Sequence, residues 1–102
     1  MKNLLNEDIF MEKTNEFKQI VDRMVDTYVK KNSDYGNSFD LTCDEFGIVA
    51  ALTRMSDKFL RIKQLALKGK GLVSDESIKD TLLDLANYSI MTLMWLNGKD
   101  NQ

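Results

Sequence analysis

The stretch that decides the fold is residues 80–99, DTLLDLANYSIMTLMWLNGK. Between Asp80 and Lys99 its only charged residue is Asp84, and apolar side chains would cover nearly every side of a helix. A helix that is apolar all round is buried. Because two other helices of so short a chain cannot enclose it, we expect a second copy of the chain to cover the rest. The stretch therefore predicts an all-α fold, a small bundle of three main helices completed by homo-oligomerisation.

Two more helices are predicted upstream of this stretch. Apolar residues at three- and four-residue spacing predict a helix over about residues 10–31, and turn-forming residues predict a loop over 32–41. Thr42 and Glu45 match a capping box, which predicts a second helix to about residue 67. Its core side is predicted to carry Ile48, Leu52, Met55, Phe59 and Ile62.

The third helix is predicted between a cap and a stop. Ser74 is the expected N-cap, and Asn97-Gly98 is the expected end. Lys68 to Gly71 form the predicted turn before it. With 102 residues the chain is expected to be a single domain over 1–102, with its first ~8 residues flexible.

Composition excludes several classes of function. The net charge of −2 argues against bulk nucleic-acid binding, and Asp84 and Asn87 interrupt the apolar run that would otherwise resemble a membrane span. One cysteine, Cys43, and no leader-like segment favour the cytoplasm. Histidine is absent, so any chemistry would use carboxylates, lysine, tyrosine or a hard metal ion. No catalytic residue is identified.

Polar residues follow one face of each of the last two helices. Asp80, Asp84, Asn87 and Tyr88 share a face of the third helix, and a basic stripe on the second contains Arg54, Asp57, Lys58 and Arg61. One interpretation is structural: interhelical ion pairs that fix the register. The other is a binding site, in which Asp57, Asp80 and Asp84 hold Mg²⁺ while the basic residues bind phosphate oxygens.

The predicted loop offers a second candidate contact. Tyr35 or Phe39 could stack on a base, with Asn37 or Ser38 reading its edge, or the segment could be only a helix stop and a turn. Cys43 has no base to activate it and is interpreted as structural.

Three ordered blocks over residues 30–96 resemble the nucleotide modification associated domain 1 family, which occurs mainly in bacteriophages and related bacterial elements. They are Lys31-x-x-Asp34-Tyr35-Gly36-x-Ser38-Phe39 followed by Gly47, then Arg54-x-x-Asp57-Lys58-x-x-Arg61, then Glu76-Ser77-x-x-Asp80-Thr81-x-x-Asp84-Leu85-Ala86-Asn87-Tyr88. The resemblance implies a phage-type protein that handles a phosphorylated nucleotide.

That family is in turn distantly similar to the MazG-type all-α NTP pyrophosphatases. The similarity implies helical oligomers in which carboxylates on two helices hold Mg²⁺ and pyrophosphate is released from nucleoside triphosphates. Asp84 fits the final acid of their second motif, whereas Thr81 stands where a glutamate is expected and Asp80 lies one position earlier. Basic residues such as Arg54 and Lys58 lie where their first acidic cluster would be.

Three functions follow from these observations. The first is a Mg²⁺-dependent nucleotide pyrophosphohydrolase with Arg54, Lys58 and Arg61 on the phosphates. The second is a binding protein without turnover, a sponge that sequesters a host nucleotide signal made during antiviral defence. The third is a structural oligomerisation module. The partners expected are a nucleotide or nucleotide-derived molecule and further copies of the chain, in the cytoplasm of the host cell if the protein is phage-encoded.

Overall fold

A computed structural model describes the backbone of residues 2–35, 37–68 and 75–101, and the side chains of 5–32, 37–68 and 77–101. Four helices make up these residues, and no strand occurs among them. They are α1 (Lys2–Tyr35), α2 (Ser38–Phe46), α3 (Ile48–Lys68) and α4 (Asp75–Asp100). The all-α prediction is confirmed, but the helices number four rather than three. No described helix is both long and apolar enough to cross a membrane.

The predicted loop over residues 32–41 is wrong, because helix occupies most of it. α1 continues to Tyr35 and α2 already begins at Ser38. Asparagine, serine and aspartate each disfavour a helix by only roughly a few tenths of a kcal/mol relative to better helix formers. A helix can therefore continue through these residues. Thr42 is not a cap either. It lies inside α2, and its hydroxyl donates to the Ser38 carbonyl at 2.7 Å.

Gly47 divides the predicted second helix into α2 and α3. Its φ of 79° and ψ of −170° fall in a backbone region that is essentially confined to glycine. The Gly47 N–H donates to the Cys43 carbonyl at 2.7 Å, and the Ala50 N–H donates to the Gly47 carbonyl at 3.1 Å. Hydrogen bonds therefore close both helix ends around a single residue.

A small core joins α2, α3 and α4. Phe39, Cys43 and Ala51 are its buried members, and Met55, Tyr88, Met91 and Trp95 pack against them. The Phe39 and Tyr88 rings lie 5.8 Å apart, centroid to centroid. Burial raises the pKa of the Cys43 thiol, which suits a structural residue and not a nucleophile.

The core stripe predicted for residues 48–62 is largely wrong for the single chain. Ile48, Leu52 and Phe59 are 40%, 50% and 59% exposed, whereas Ala51 is fully buried. The side of α3 that faces the core carries Ala51, which is buried, and Met55 and Ile62, which are half-buried.

Trp95 and Lys99 of α4 both contact Asp44 of α2. The Trp95 indole N–H donates to Asp44 Oδ1 at 2.8 Å, and Lys99 Nζ lies 3.0 Å from the same oxygen. Lys99 also lies 5.4 Å from the Trp95 ring centroid. The hydrogen bond from Trp95 and the lysine beside it lower the pKa of Asp44. These contacts depend on the last turns of α4, which continues past the predicted stop at Asn97-Gly98 to Asp100.

The chain divides at Gly36 into two compact units, α1 and the three-helix unit α2–α4. The single-domain interpretation stays a prediction. The expected N-cap at Ser74 and the turn residues 69–71 lie outside the described residues.

Replacing Gly47 should destabilise the α2–α4 unit. Gly47→Ala meets no atom within 4 Å, so its cost would come from the backbone conformation alone. We expect the free energy of unfolding to fall by about 1–3 kcal/mol. Gly98→Ala is the matched control, since Gly98 lies within α4 in equally open space. It should raise stability by up to about 1 kcal/mol. Urea titrations followed by circular dichroism would measure both, and equal effects would contradict the role given to Gly47.

Candidate functional site

Two side-chain contacts show how α3 lies against α4. Lys58 Nζ is 3.2 Å from Asp84 Oδ2, and the Ser89 hydroxyl donates to Met55 Sδ at 3.4 Å. Residues earlier in α3 thus lie beside residues later in α4, so the two helices are antiparallel. Their register places Arg54 level with Tyr88, and Arg61 level with Thr81.

The Lys58–Asp84 pair is half-buried, with side-chain exposures of 30% and 22%. It realises one of the interhelical ion pairs that the sequence predicts. Because both groups are partly withdrawn from water, removing either would leave the other poorly solvated. The pair therefore contributes to the packing of α3 on α4.

The two arginines of the basic stripe lie one turn to either side of Lys58. Arg54 is half-buried and Arg61 is exposed. Within the described part of the chain, neither guanidinium has a carboxylate within ion-pair distance. The three cations of the stripe thus form a row, called the basic row below, in which Lys58 is neutralised by Asp84, and the exposed Asp57 lies in the same stripe.

The three acids predicted to hold a metal are not gathered in the single chain. Asp57 on α3 and Asp80 on α4 are exposed, and Asp84 faces Lys58. Among the residues whose side chains are described, no three acidic, cysteine or histidine side chains form a metal-binding group. An ammonium group 3.2 Å from the Asp84 carboxylate competes with a metal cation, so Asp84 as placed among the described side chains is a poor ligand for Mg²⁺.

Thr81 explains part of this difference. It is 4% exposed, and its hydroxyl donates to the Ser77 carbonyl at 2.6 Å. Thr81 is therefore a buried hydroxyl whose hydrogen bond is satisfied within α4, and it supplies no acidic group beside Asp84.

The remaining predicted contacts that the structure describes lie on α2 and α4. Asn87 and Tyr88 are half-buried on α4, and Ser38 is exposed at the start of α2, one residue before Phe39. Phe39 is 6% exposed and packs on Tyr88, so it is a core residue and not a base-stacking platform. The side chain of Tyr35 lies outside the described residues.

The cluster of Asp44, Trp95 and Lys99 was not predicted from sequence. Asp44 lies 51 positions before Trp95 and 55 positions before Lys99, so no periodic pattern links it to them. The four-residue step from Trp95 to Lys99 on one face of a helix was the available signal.

Replacing one member of the Lys58–Asp84 pair should destabilise the protein, and replacing the other member as well should recover part of the lost stability. We expect Asp84→Asn or Lys58→Met alone to lower the free energy of unfolding by about 1–3 kcal/mol. The double variant should lose less stability than the losses of the two single variants added together, because no uncompensated charge remains. Asp80→Asn, an exposed change on the same helix, is the control and should be nearly neutral. Additive losses in chemical denaturation would show that the two groups do not interact.

Comparison with known proteins identifies a family that matches this chain. Residues 31–96 match the family model described as nucleotide modification associated domain 1. The matched range covers α2, α3 and most of α4, including the Lys58–Asp84 pair and both arginines beside it. No curated protein and no solved structure matches the chain. Because the matched range is well over half of its length, the chain belongs to the nucleotide modification associated domain 1 family.

Proposed function

We propose that this protein binds a phosphorylated nucleotide along the basic row of α3, with the phosphates on Arg54, Lys58 and Arg61. The observation that carries the proposal is the pair of guanidiniums that have no carboxylate partner among the described residues. Guanidinium forks match phosphate oxygens in geometry and in charge. The family description supports a nucleotide rather than another anion.

The position of the row on its helix suits this role. Arg54, Lys58 and Arg61 follow one another at steps of four and three residues, so they share one side of α3. Asp84 holds the Lys58 ammonium in place and offsets its charge. A phosphate arriving at this row would therefore meet two unpaired guanidiniums and one ordered ammonium.

Groups on α4 and α2 would contact the nucleoside. Asn87 can read a base edge or a sugar hydroxyl, and Tyr88 is level with Arg54 in the antiparallel register of α3 and α4. Ser38 would add a hydroxyl contact from the start of α2.

Retention of the nucleotide without turnover is the mode that the single-chain geometry favours. The one half-buried carboxylate of the row is paired with Lys58, and a paired carboxylate is a poor ligand for a second cation. Such retention would suit a phage-encoded protein that sequesters a nucleotide signal in the cytoplasm of its host. A Mg²⁺-dependent pyrophosphohydrolase, for which Asp57, Asp80 and Asp84 were predicted as ligands, is the alternative outcome of the experiment below.

The experiment uses ATP and a cyclic dinucleotide as probes, each with Mg²⁺ and with EDTA. The protein is incubated with a probe, passed through a desalting column, and analysed by chromatography before and after heat denaturation. Intact probe released by heat would support retention, and new products that need Mg²⁺ would establish the hydrolase instead. No binding of either probe by calorimetry at micromolar protein would contradict the proposed function.

Arginine variants should weaken binding without unfolding the protein. We expect Arg54→Ala and Arg61→Ala each to raise Kd at least about tenfold, since a charge-assisted contact to phosphate is worth roughly 1.5–3 kcal/mol. Lys63→Ala, an exposed lysine on another side of α3, is the matched control and should bind normally. Calorimetric titration and a thermal melt of each variant are the measurements. If the arginine variants unfold, the row is structural.

We further propose that a second copy of the chain covers the outer face of α4. Four apolar side chains there are about half exposed, with Leu82 at 49%, Ile90 at 47%, Leu93 at 57% and Met94 at 51%. A contiguous exposed apolar face of this kind is typical of an interface. Trp95 of the same helix packs against the core of its own chain.

A charge on the outer face of α4 should dissociate the oligomer. Ile90→Glu is expected to give a monomer, because a carboxylate cannot be buried unpaired in an apolar interface. Leu60→Glu is the control on α3, at a residue of nearly equal exposure, 49%, outside the proposed face. Light scattering at micromolar concentration measures the mass. A monomeric wild-type protein would refute the proposed interface.

A further inference from the structure

The two unpaired cations of the basic row lie far apart along α3. Arg54 and Arg61 are separated by seven residues, which corresponds to a rise of about 10 Å along the helix axis. A single phosphate group is much smaller than this distance, so it would engage both guanidiniums only if the two side chains bent toward each other. Between them, Lys58 is held 3.2 Å from Asp84. The spacing therefore suits a ligand whose negative charges are distributed along the helix.

The Arg54 end of the row has an aromatic neighbour. Tyr88 of α4 is level with Arg54 in the antiparallel register, and it is half-buried, so part of its side chain is open to a ligand. The Tyr88 ring packs on Phe39 with the ring centroids 5.8 Å apart, and this contact orients it. An aromatic side chain held in this way can stack on a nucleobase.

The Arg61 end of the row has no such neighbour on α3 or α4. Residues 77–84 of α4 include no aromatic side chain, and Thr81, which is level with Arg61, is 4% exposed. Phe59 is close in sequence, but two residues correspond to about 200° around a helix, so it lies on nearly the opposite side of α3 from Arg61. Among the described residues of these two helices, only the Arg54 end therefore combines a cation of the row with an aromatic ring.

This difference between the two ends distinguishes two kinds of nucleotide. A cyclic dinucleotide carries a base beside each of its two phosphates, so it would call for a stacking partner at both ends of the row. A linear nucleotide has one base followed by a tail of phosphates. It would call for an aromatic ring at one end of the row and for a cation alone at the other, as is found here.

Building on the nucleotide binding proposed above, we propose that the ligand is a nucleoside diphosphate or triphosphate that lies along α3 in one direction. Its base lies at Tyr88, its first phosphate at Arg54 and its terminal phosphate at Arg61. Arg61 is then the residue that distinguishes a nucleotide with several phosphates from a monophosphate. Arg54 contacts the part of the ligand that every such nucleotide shares.

Two acids near Arg61 do not prevent this contact. Asp57 precedes Arg61 by one turn of α3, and Asp80 precedes Thr81 on α4, and both carboxylates are exposed. Water screens the charge of exposed groups, so their repulsion of a phosphate is weak. The guanidinium, in contrast, donates directly to the phosphate oxygens in a charge-assisted contact.

Titration of the full-length protein with AMP, ADP and ATP tests the direction of the ligand. Calorimetry in EDTA measures binding without any hydrolysis that needs Mg²⁺. We expect Kd to be at least about tenfold lower for ATP than for AMP, and Arg61→Ala to remove most of this difference while leaving the Kd for AMP nearly unchanged. Arg54→Ala should raise the Kd for all three nucleotides by a similar factor. Lys63→Ala, the exposed control on α3, should change none of them.

Phosphorus NMR of bound ATP provides the second measurement, which does not depend on a measurable affinity for AMP. Arg61→Lys and Arg54→Lys keep the charge and remove only the fork, so they disturb the fold least. The first variant should shift mainly the resonance of the terminal phosphate, and the second mainly that of the phosphate next to the sugar.

Several results would overturn the proposed direction while leaving nucleotide binding intact. They are equal affinity for AMP and ATP, an exchange of the effects of the two arginines, and tighter binding of a cyclic dinucleotide than of ATP. If neither the linear nucleotides nor the cyclic dinucleotide bind, the proposed function itself is contradicted, and the direction with it.

Discussion

The packing of α3 on α4 depends on one charge, the carboxylate of Asp84 in the most apolar helix of the chain. A carboxylate withdrawn from water needs a cation, and Lys58 supplies it at 3.2 Å. Charge alone would not select this register, however. Arg54 and Arg61 lie one turn to either side, so a slip of α4 by one turn in either direction would still offer Asp84 a cation. The fit of Ala51 in the core and the contact of Trp95 with Asp44 select Lys58. The two arginines left without a carboxylate are consequently the groups available for a ligand.

Features that local interactions determine were easier to predict from the sequence than features that depend on contacts between distant residues. Helical periodicity is local, so the all-α class and the central parts of α1, α3 and α4 were predictable. The pairing of Asp84 with a base of the α3 stripe was also predictable, because a charge in an apolar stretch requires a partner. The break at Gly47 was not, since an isolated glycine in a periodic segment is more often tolerated within the helix than left in an extended conformation with positive φ. Apolar spacing also assigned Ile48, Leu52 and Phe59 to the core, whereas Ala51 is the buried residue of α3.

Site residues were harder to predict than helices, because a site joins side chains from different elements. Spacing placed Arg54, Lys58 and Arg61 on one side of α3 correctly. Spacing could not reveal that Asp57 and Asp80 are exposed and belong to no metal-binding group among the described side chains. It also could not reveal that the Phe39 ring packs on Tyr88. Only Met24, Phe39, Cys43 and Ala51 are buried apolar residues among the described side chains. So small a core gives a single chain modest stability, which is the physical reason for expecting its apolar faces to be covered.

The contact between Trp95 and Asp44 has a spectroscopic consequence. The chain has one tryptophan, and its indole N–H donates to a carboxylate on a different helix while an ammonium group lies over its ring. Indole emission responds to such neighbours, so the intrinsic fluorescence of the unmodified protein reports whether α2 is seated on the end of α4. Because Asp44 is a stronger acid in the folded protein than in the unfolded chain, acid should release this contact as the pH falls through its lowered pKa. Tryptophan emission at one wavelength can then follow the docking of the nine-residue helix α2 without any label.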